Sequence, residues 1–108
     1  MKHYLLFYTF IDQYLERRPA FRDAHLAYAW RACERGELRL AGALTEPTDT
    51  GVLWFEAESP EVAAAFAHND PYVANGLVAS WEVREWTTVV GAFAISPVHA
   101  PGRIGDKG

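Results

Sequence analysis

The chain has 108 residues, of which 50% are hydrophobic, 14% aromatic and 22% charged. This composition is typical of one globular domain with a substantial hydrophobic core and argues against disorder. Ten basic and 14 acidic residues give a formal net charge of −4, which disfavours binding to nucleic acid or to an anionic membrane surface. The single cysteine, Cys33, cannot form an internal disulfide, and no apolar run approaches the roughly 20 residues that span a bilayer. We therefore expect a cytoplasmic protein.

The first third of the chain predicts a strand and a helix. Residues 3–10 are apolar at both alternating sets of positions, as in a strand that is covered on both faces. Residues 11–18 have the composition of a polar connection. Pro19 suits the first turn of a helix and Gly36 suits its C-terminal stop, so we predict a helix between them.

The remaining elements follow from strand patterns and capping residues. Residues 37–44 and 52–57 predict two strands of a hairpin, joined by a turn cluster. Ser59 is a suitable N-cap for a second helix that runs to about residue 68. Asp70 precedes a proline and can cap a short helical turn. Residues 78–90 predict a long fourth strand.

The order β-α-β-β-α-β predicts a ferredoxin-like α+β fold. Both helices then pack on one face of a four-stranded antiparallel sheet. Because the strands also carry apolar residues on the other face, we expect a second copy of the sheet to cover it in a homodimer. The segment that begins at Gly91 is rich in glycine and proline, so we divide the chain into a domain (residues 1–91) and an irregular C-terminal tail (residues 92–108).

Short motifs in a fixed order carry a resemblance to a known family. They are Arg22-x-x-His25-Leu26, Gly36-x-Leu38, Ala41-Gly42, Glu58-Ser59-x-Glu61-x-Ala63-Ala64, Asp70-Pro71-Tyr72-Val73, Gly76 and Trp81-Glu82-Val83-Arg84. Over residues 1–91 the chain resembles the YciI-like family, whose members contain the YCII-related domain. The resemblance implies a dimeric α+β barrel with a His–Asp pair at its active site, which by motif position is His25 and Asp70. That family includes a dehydrochlorinase that acts on a chlorinated hydroxyhydroquinone.

His25 lies near the middle of the apolar arc of the predicted first helix, where a histidine can serve in proton transfer or as a structural residue bonded to the backbone. Asp70 can cap its short helix with one carboxylate oxygen and accept a hydrogen bond from the His25 ring with the other. Such a bond would orient the imidazole as a general base. Since the chain has no GxSxG motif, proton abstraction or activation of water is favoured over covalent catalysis.

Two further residues are candidates for substrate binding. Arg22, one turn before His25, could hold a carboxylate or phenolate oxygen, although a solvated salt bridge is an equally good interpretation. Tyr72 could stack on a substrate, although tyrosines of this kind more often belong to a core or a dimer interface. The four histidines show no metal-ligand spacing and the glycines form no nucleotide motif, so we expect neither metal nor cofactor.

Two functions remain open from the sequence. The first is a cofactor-independent enzyme that transfers protons on a small, oxygenated and aromatic or enolisable compound, as a dehydrochlorinase-like lyase, an isomerase or a hydrolase. The alternative is a non-catalytic domain that binds a small ligand or assists another protein. Measured turnover distinguishes the two.

Overall fold

A computed structural model describes residues 1–101, which form four strands and four α-helices. The strands are β1 (Lys2–Phe10), β2 (Leu38–Ala43), β3 (Thr50–Ala57) and β4 (Val78–Glu85), and the helices are α1 (Tyr14–Arg17), α2 (Arg22–Glu34), α3 (Glu61–Asn69) and α4 (Pro71–Ala74). The strands form one sheet in the order β2-β3-β1-β4, in which every neighbouring pair is antiparallel. The predicted ferredoxin-like α+β fold is therefore confirmed.

The hydrophobic core lies between the helices and one face of the sheet. Leu6 and Tyr8 of β1 and Phe55 of β3 are buried, and Phe66 of α3 packs edge-on against Phe55. Burying each side chain of this size contributes about 1.5–3 kcal/mol. In α2 the only fully buried residue is Ala32. Because so little of α2 enters the core, room remains between this helix and β2.

The segment predicted as a polar connection contains a short helix, α1. Tyr14 of α1 is buried, and its ring stacks on Phe10 with 3.7 Å between centroids and 5° between planes. A single inward residue among polar neighbours produces no periodic pattern, which explains why the sequence did not predict this helix.

Two helices end at a glycine with a positive φ angle, and Gly36 is the predicted stop of the first one. Gly36 after α2 and Gly76 after α4 have φ angles of +82° and +76°, which glycine adopts without steric cost. The expected cap at Ser59 is wrong, since α3 begins at Glu61 and no side chain caps it.

Strand β3 begins two residues earlier than predicted, and Gly51 belongs to it. This glycine pairs with Tyr8 of β1, and a Cβ atom at position 51 would lie 2.9 Å from Cζ of Phe10. Gly51 is therefore required for close packing against a ring of the core.

Strand β4 ends at Glu85 rather than at residue 90. Its last ladder pair is Glu85 with Tyr4, and the backbone N–H of Trp86 still donates to the carbonyl of His3 at 2.9 Å. The chain then crosses the sheet face that the helices leave open. Thr88 is buried there, with Oγ1 2.9 Å from Nδ1 of His3, and Phe93 packs against Trp54. The division at residue 91 stays a prediction. None of the helices in residues 1–101 is long and apolar enough to cross a membrane.

Candidate active site

The backbone around Asp70 positions its carboxylate between two helices. Asp70 has an extended conformation between α3 and α4, and its Oδ1 accepts a hydrogen bond from the backbone N–H of Tyr72 at 2.9 Å. The predicted cap is therefore present. Asp70 has no exposed surface, so its negative charge depends on partners within the protein.

The structure brings His25 and Asp70 into contact, as predicted. His25, in the first turn of α2, places Nδ1 2.8 Å from Oδ1 of Asp70. Oδ2 of the same carboxylate accepts a hydrogen bond from the Tyr8 hydroxyl at 2.7 Å. An ionised carboxylate can only accept hydrogen bonds, so the ring atom that faces it must be the donor. In the neutral imidazole the proton is therefore on Nδ1, and Nε2 carries the lone pair.

Tyr8 is a member of the site that the sequence did not predict. Burial, followed by the negative charge of Asp70 and the hydrogen bond to it, raises the pKa of the Tyr8 hydroxyl far above its usual value. The hydroxyl therefore stays protonated and acts as a donor. In the sequence Tyr8 belongs to the inward set of β1 together with Tyr4 and Leu6, and no local signal separates it from these core residues.

Tyr72 supports the other side of the imidazole. Its ring lies parallel to that of His25, with 3.8 Å between centroids and 5° between planes. Burial, with smaller contributions from Tyr14, raises the pKa of Tyr72 to about 12. The predicted substrate-binding tyrosine thus holds the histidine ring in place and is itself buried.

A cavity of about 400 Å³ lies between α2 and β2. His25, Arg22 and Tyr72 all line it, while the walls are largely apolar. Trp30 and Leu40 also line it, and they are 64% and 69% exposed. The structure thus places the predicted catalytic histidine and the predicted anion-binding arginine at one cavity, with Asp70 hydrogen-bonded to the histidine.

The donors of this cavity suit an organic ligand better than a metal ion. Within residues 1–101, no group of three or more His, Cys, Asp or Glu side chains is arranged to hold a metal. The charged residues that line the cavity are arginines, which repel cations and attract oxygen anions.

The fold is that of the dimeric α+β barrel class, built from a ferredoxin-like sheet and two main helices. Residues 1–87 match the model of the YCII-related domain, and the chain belongs to this family. No curated protein matches the sequence.

Three solved structures from bacteria share this fold. The chain is similar to 5-chloro-2-hydroxyhydroquinone dehydrochlorinase from Burkholderia phenoliruptrix in complex with 2,5-dihydroxybenzoquinone, with a TM-score of 0.67, 24% identity, and coverage of 80% of this chain and 94% of that chain. It is also similar to a NIPSNAP family protein from Agrobacterium tumefaciens, with a TM-score of 0.54, 15% identity, and coverage of 86% and 95%. An uncharacterised NIPSNAP domain protein from Burkholderia xenovorans has a TM-score of 0.50, 17% identity, and coverage of 87% and 98%.

Proposed function

We propose that this protein is a cofactor-independent enzyme that transfers a proton on a small oxygenated aromatic compound, with His25 and Asp70 as its catalytic pair. The observation that carries the proposal is the 2.8 Å contact between Nδ1 of His25 and the fully buried Asp70 carboxylate, beside an open cavity. With Nδ1 committed to Asp70, Nε2 is the ring atom that accepts a proton from a molecule in the cavity.

Each neighbouring residue has a distinct part in this chemistry. Asp70 orients the ring and stabilises the imidazolium that forms when Nε2 takes a proton. Tyr8 holds the second carboxylate oxygen, and Tyr72 fixes the plane of the imidazole by stacking. Arg22 lines the same cavity and is the donor for an anionic oxygen of the substrate.

The reaction class that we propose is elimination of hydrogen chloride from a chlorinated hydroxyhydroquinone, the activity named for one of the similar structures. The ring loses one proton and one chloride ion and becomes a quinone, so no external oxidant is needed. Such an elimination requires a base for hydroxyl protons and an acid for ring tautomerisation. One histidine can serve as both, because it takes a proton in one step and returns it in the other.

Chloride release and quinone absorbance from 5-chloro-2-hydroxyhydroquinone test the proposal. We expect the His25→Gln variant to lose at least about 100-fold in turnover while it still binds 2,5-dihydroxybenzoquinone. His68→Gln is the matched control, because His68 is exposed and does not line the cavity. Binding of the quinone without turnover by the wild type would favour the alternative, a non-catalytic ligand-binding domain.

We also propose that the protein forms a homodimer through the sheet face that α2 and α3 leave open. Leu5, Phe7, Val52 and Trp54 lie on this face and are only half-buried in the single chain. Val90 and Phe93, from the segment that crosses the same face, are 84% and 66% exposed. A second copy would remove this apolar surface from water.

A further inference from the structure

Arg18 lines the same cavity as His25 and Arg22. It lies in the 3₁₀ turn Arg18–Ala20, immediately before α2, and Arg22 is the first residue of that helix. The 3₁₀ turn and the first turn of α2 therefore bring two arginines to the lining of one cavity. No sequence motif indicated a role for Arg18.

Neither guanidinium group is neutralised within residues 1–101. Arg35 and Arg39 form ion pairs with Glu37 and Glu56, whereas Arg18 and Arg22 have no carboxylate partner there. Arg18 instead lies over the ring of Tyr14, 5.4 Å from its centroid.

Both arginines line the cavity together with Tyr72. Burial dominates the raised pKa of the Tyr72 hydroxyl, but the positive charges of Arg22 and Arg18 oppose that rise. Arg18, Arg22 and Tyr72 all line the cavity, so a ligand in it lies within reach of both positive charges. A chain with a net charge of −4 thus presents two unpaired cations in a cavity whose lining residues include no Asp or Glu.

We propose that Arg18 and Arg22 together bind an anionic oxygen group of the substrate, a ring carboxylate or an ionised phenol, so that the enzyme selects small planar acids over neutral compounds of the same shape. The proposal rests on the proposed function, because it concerns the cavity of His25. It adds Arg18 as a residue that determines specificity.

The three-residue spacing of Arg22 and His25 on α2 indicates a small substrate that both side chains can contact. Side chains three residues apart on a helix have Cβ atoms about 5–6 Å apart, so an anion held by Arg22 lies about one turn from His25. This distance suits an acidic group on the same ring as the atom that gives up a proton, or on a neighbouring atom. The positive pair would also stabilise negative charge that develops on the ring when His25 takes the proton.

Isothermal titration of the full chain with salicylate and with salicylamide tests the proposal. The two probes share a ring and a phenol, and they differ in a carboxylate against a neutral amide. We expect salicylate to bind at least about tenfold more tightly. Arg18→Gln and Arg22→Gln are each expected to reduce the affinity for salicylate by about tenfold and to leave that for salicylamide unchanged.

Arg31→Gln is the matched control, since Arg31 is an exposed arginine of α2 that does not line the cavity. Its affinity for salicylate should equal that of the wild type, and Arg18→Lys should keep part of the preference for the acid. Equal affinity for the two probes, no binding of salicylate at millimolar concentration, or an unchanged affinity in Arg18→Gln would overturn the proposal.

The His25→Gln variant separates this proposal from the proposed function. It should bind salicylate as the wild type does, because the anion is held by the arginines. An arginine-dependent preference for salicylate, combined with full chloride release by His25→Gln, would refute the catalytic role and leave the anion site. Turnover that depends on His25, without any preference for the acid, would refute the anion site alone.

Discussion

The hydroxyl of Tyr8 donates to Oδ2 of Asp70 at 2.7 Å, while His25 occupies Oδ1 of the same carboxylate. The carboxylate is therefore held on both oxygens, by a strand residue on one side and by a helix residue on the other. This arrangement keeps a fully buried charge in one orientation, which is the condition for orienting the imidazole.

Replacement of Tyr8 by phenylalanine should destabilise the protein by about 1–3 kcal/mol, because one oxygen of a buried carboxylate loses its donor. Chemical denaturation followed by circular dichroism measures this loss. Tyr4→Phe is the control: Tyr4 is buried on the same strand, but within residues 1–101 its hydroxyl has no hydrogen-bond partner. Equal stability losses in the two variants would contradict the role of Tyr8.

The stability of the fold should fall as the pH rises above about 10, the usual pKa of tyrosine. Burial raises the pKa of Tyr8 and of Tyr72 in the folded state, to about 12 for Tyr72. In the unfolded chain both hydroxyls ionise near pH 10, so the unfolded state gains stability while the folded state keeps its protons. Their stabilising contribution is complete below that pH and is lost above it.

Denaturation curves between pH about 8 and about 11 check this dependence. Each such tyrosine adds up to about 1.4 kcal/mol of lost stability per pH unit. The Tyr8→Phe variant should therefore lose stability less steeply than the wild type. Identical slopes would contradict a raised pKa for Tyr8.

The Asp70→Asn variant should fold but should lose about 100- to 10,000-fold in turnover. Asparagine still caps a helix, but it lacks the negative charge that fixes the proton on Nδ1 of His25. Chloride release measures the effect, with Asp12→Asn as the control, because Asp12 is exposed and does not line the cavity. Wild-type turnover in Asp70→Asn would remove Asp70 from the mechanism.

Light scattering at micromolar concentration should give the mass of a dimer, with an interface that buries more than about 1,200 Å² in total. Val52→Asp should yield a folded monomer, since Val52 lies in β3 on the face that the helices leave open. Glu82→Ala, on the same face but at the edge of the sheet, should remain dimeric. A monomeric wild type would contradict the predicted homodimer.

The sequence predicted the elements whose signals are local. The apolar run of β1, a glycine after α2 and a capping aspartate at position 70 depend on neighbours within a few residues, and all three are present. The end of β4 is not a local property. Residues 86–90 favour strand structure by composition, yet the ladder ends at Glu85 and Thr88 instead contacts His3 on the open face of the sheet.

The candidate site was predictable to the same extent. His25 and Asp70 occur in motifs that the sequence displays, whereas Tyr8 and Arg18 join the site only through tertiary packing. His3 is a similar case: it is buried against Trp54 and lies within hydrogen-bond distance of Thr88, 85 residues away. Contacts between residues so far apart in the chain produce no periodic pattern in a single sequence.

The position of the proton on the His25 ring is the most direct test of its proposed role as a base. Nitrogen-15 NMR of the imidazole above neutral pH reports which ring nitrogen carries the proton. We expect a proton on Nδ1 and a lone pair on Nε2 in the wild type, and a mixture of tautomers in Asp70→Asn. A proton on Nε2 in the wild type would contradict the catalytic role of His25, because Nε2 could then not accept a proton from a molecule in the cavity.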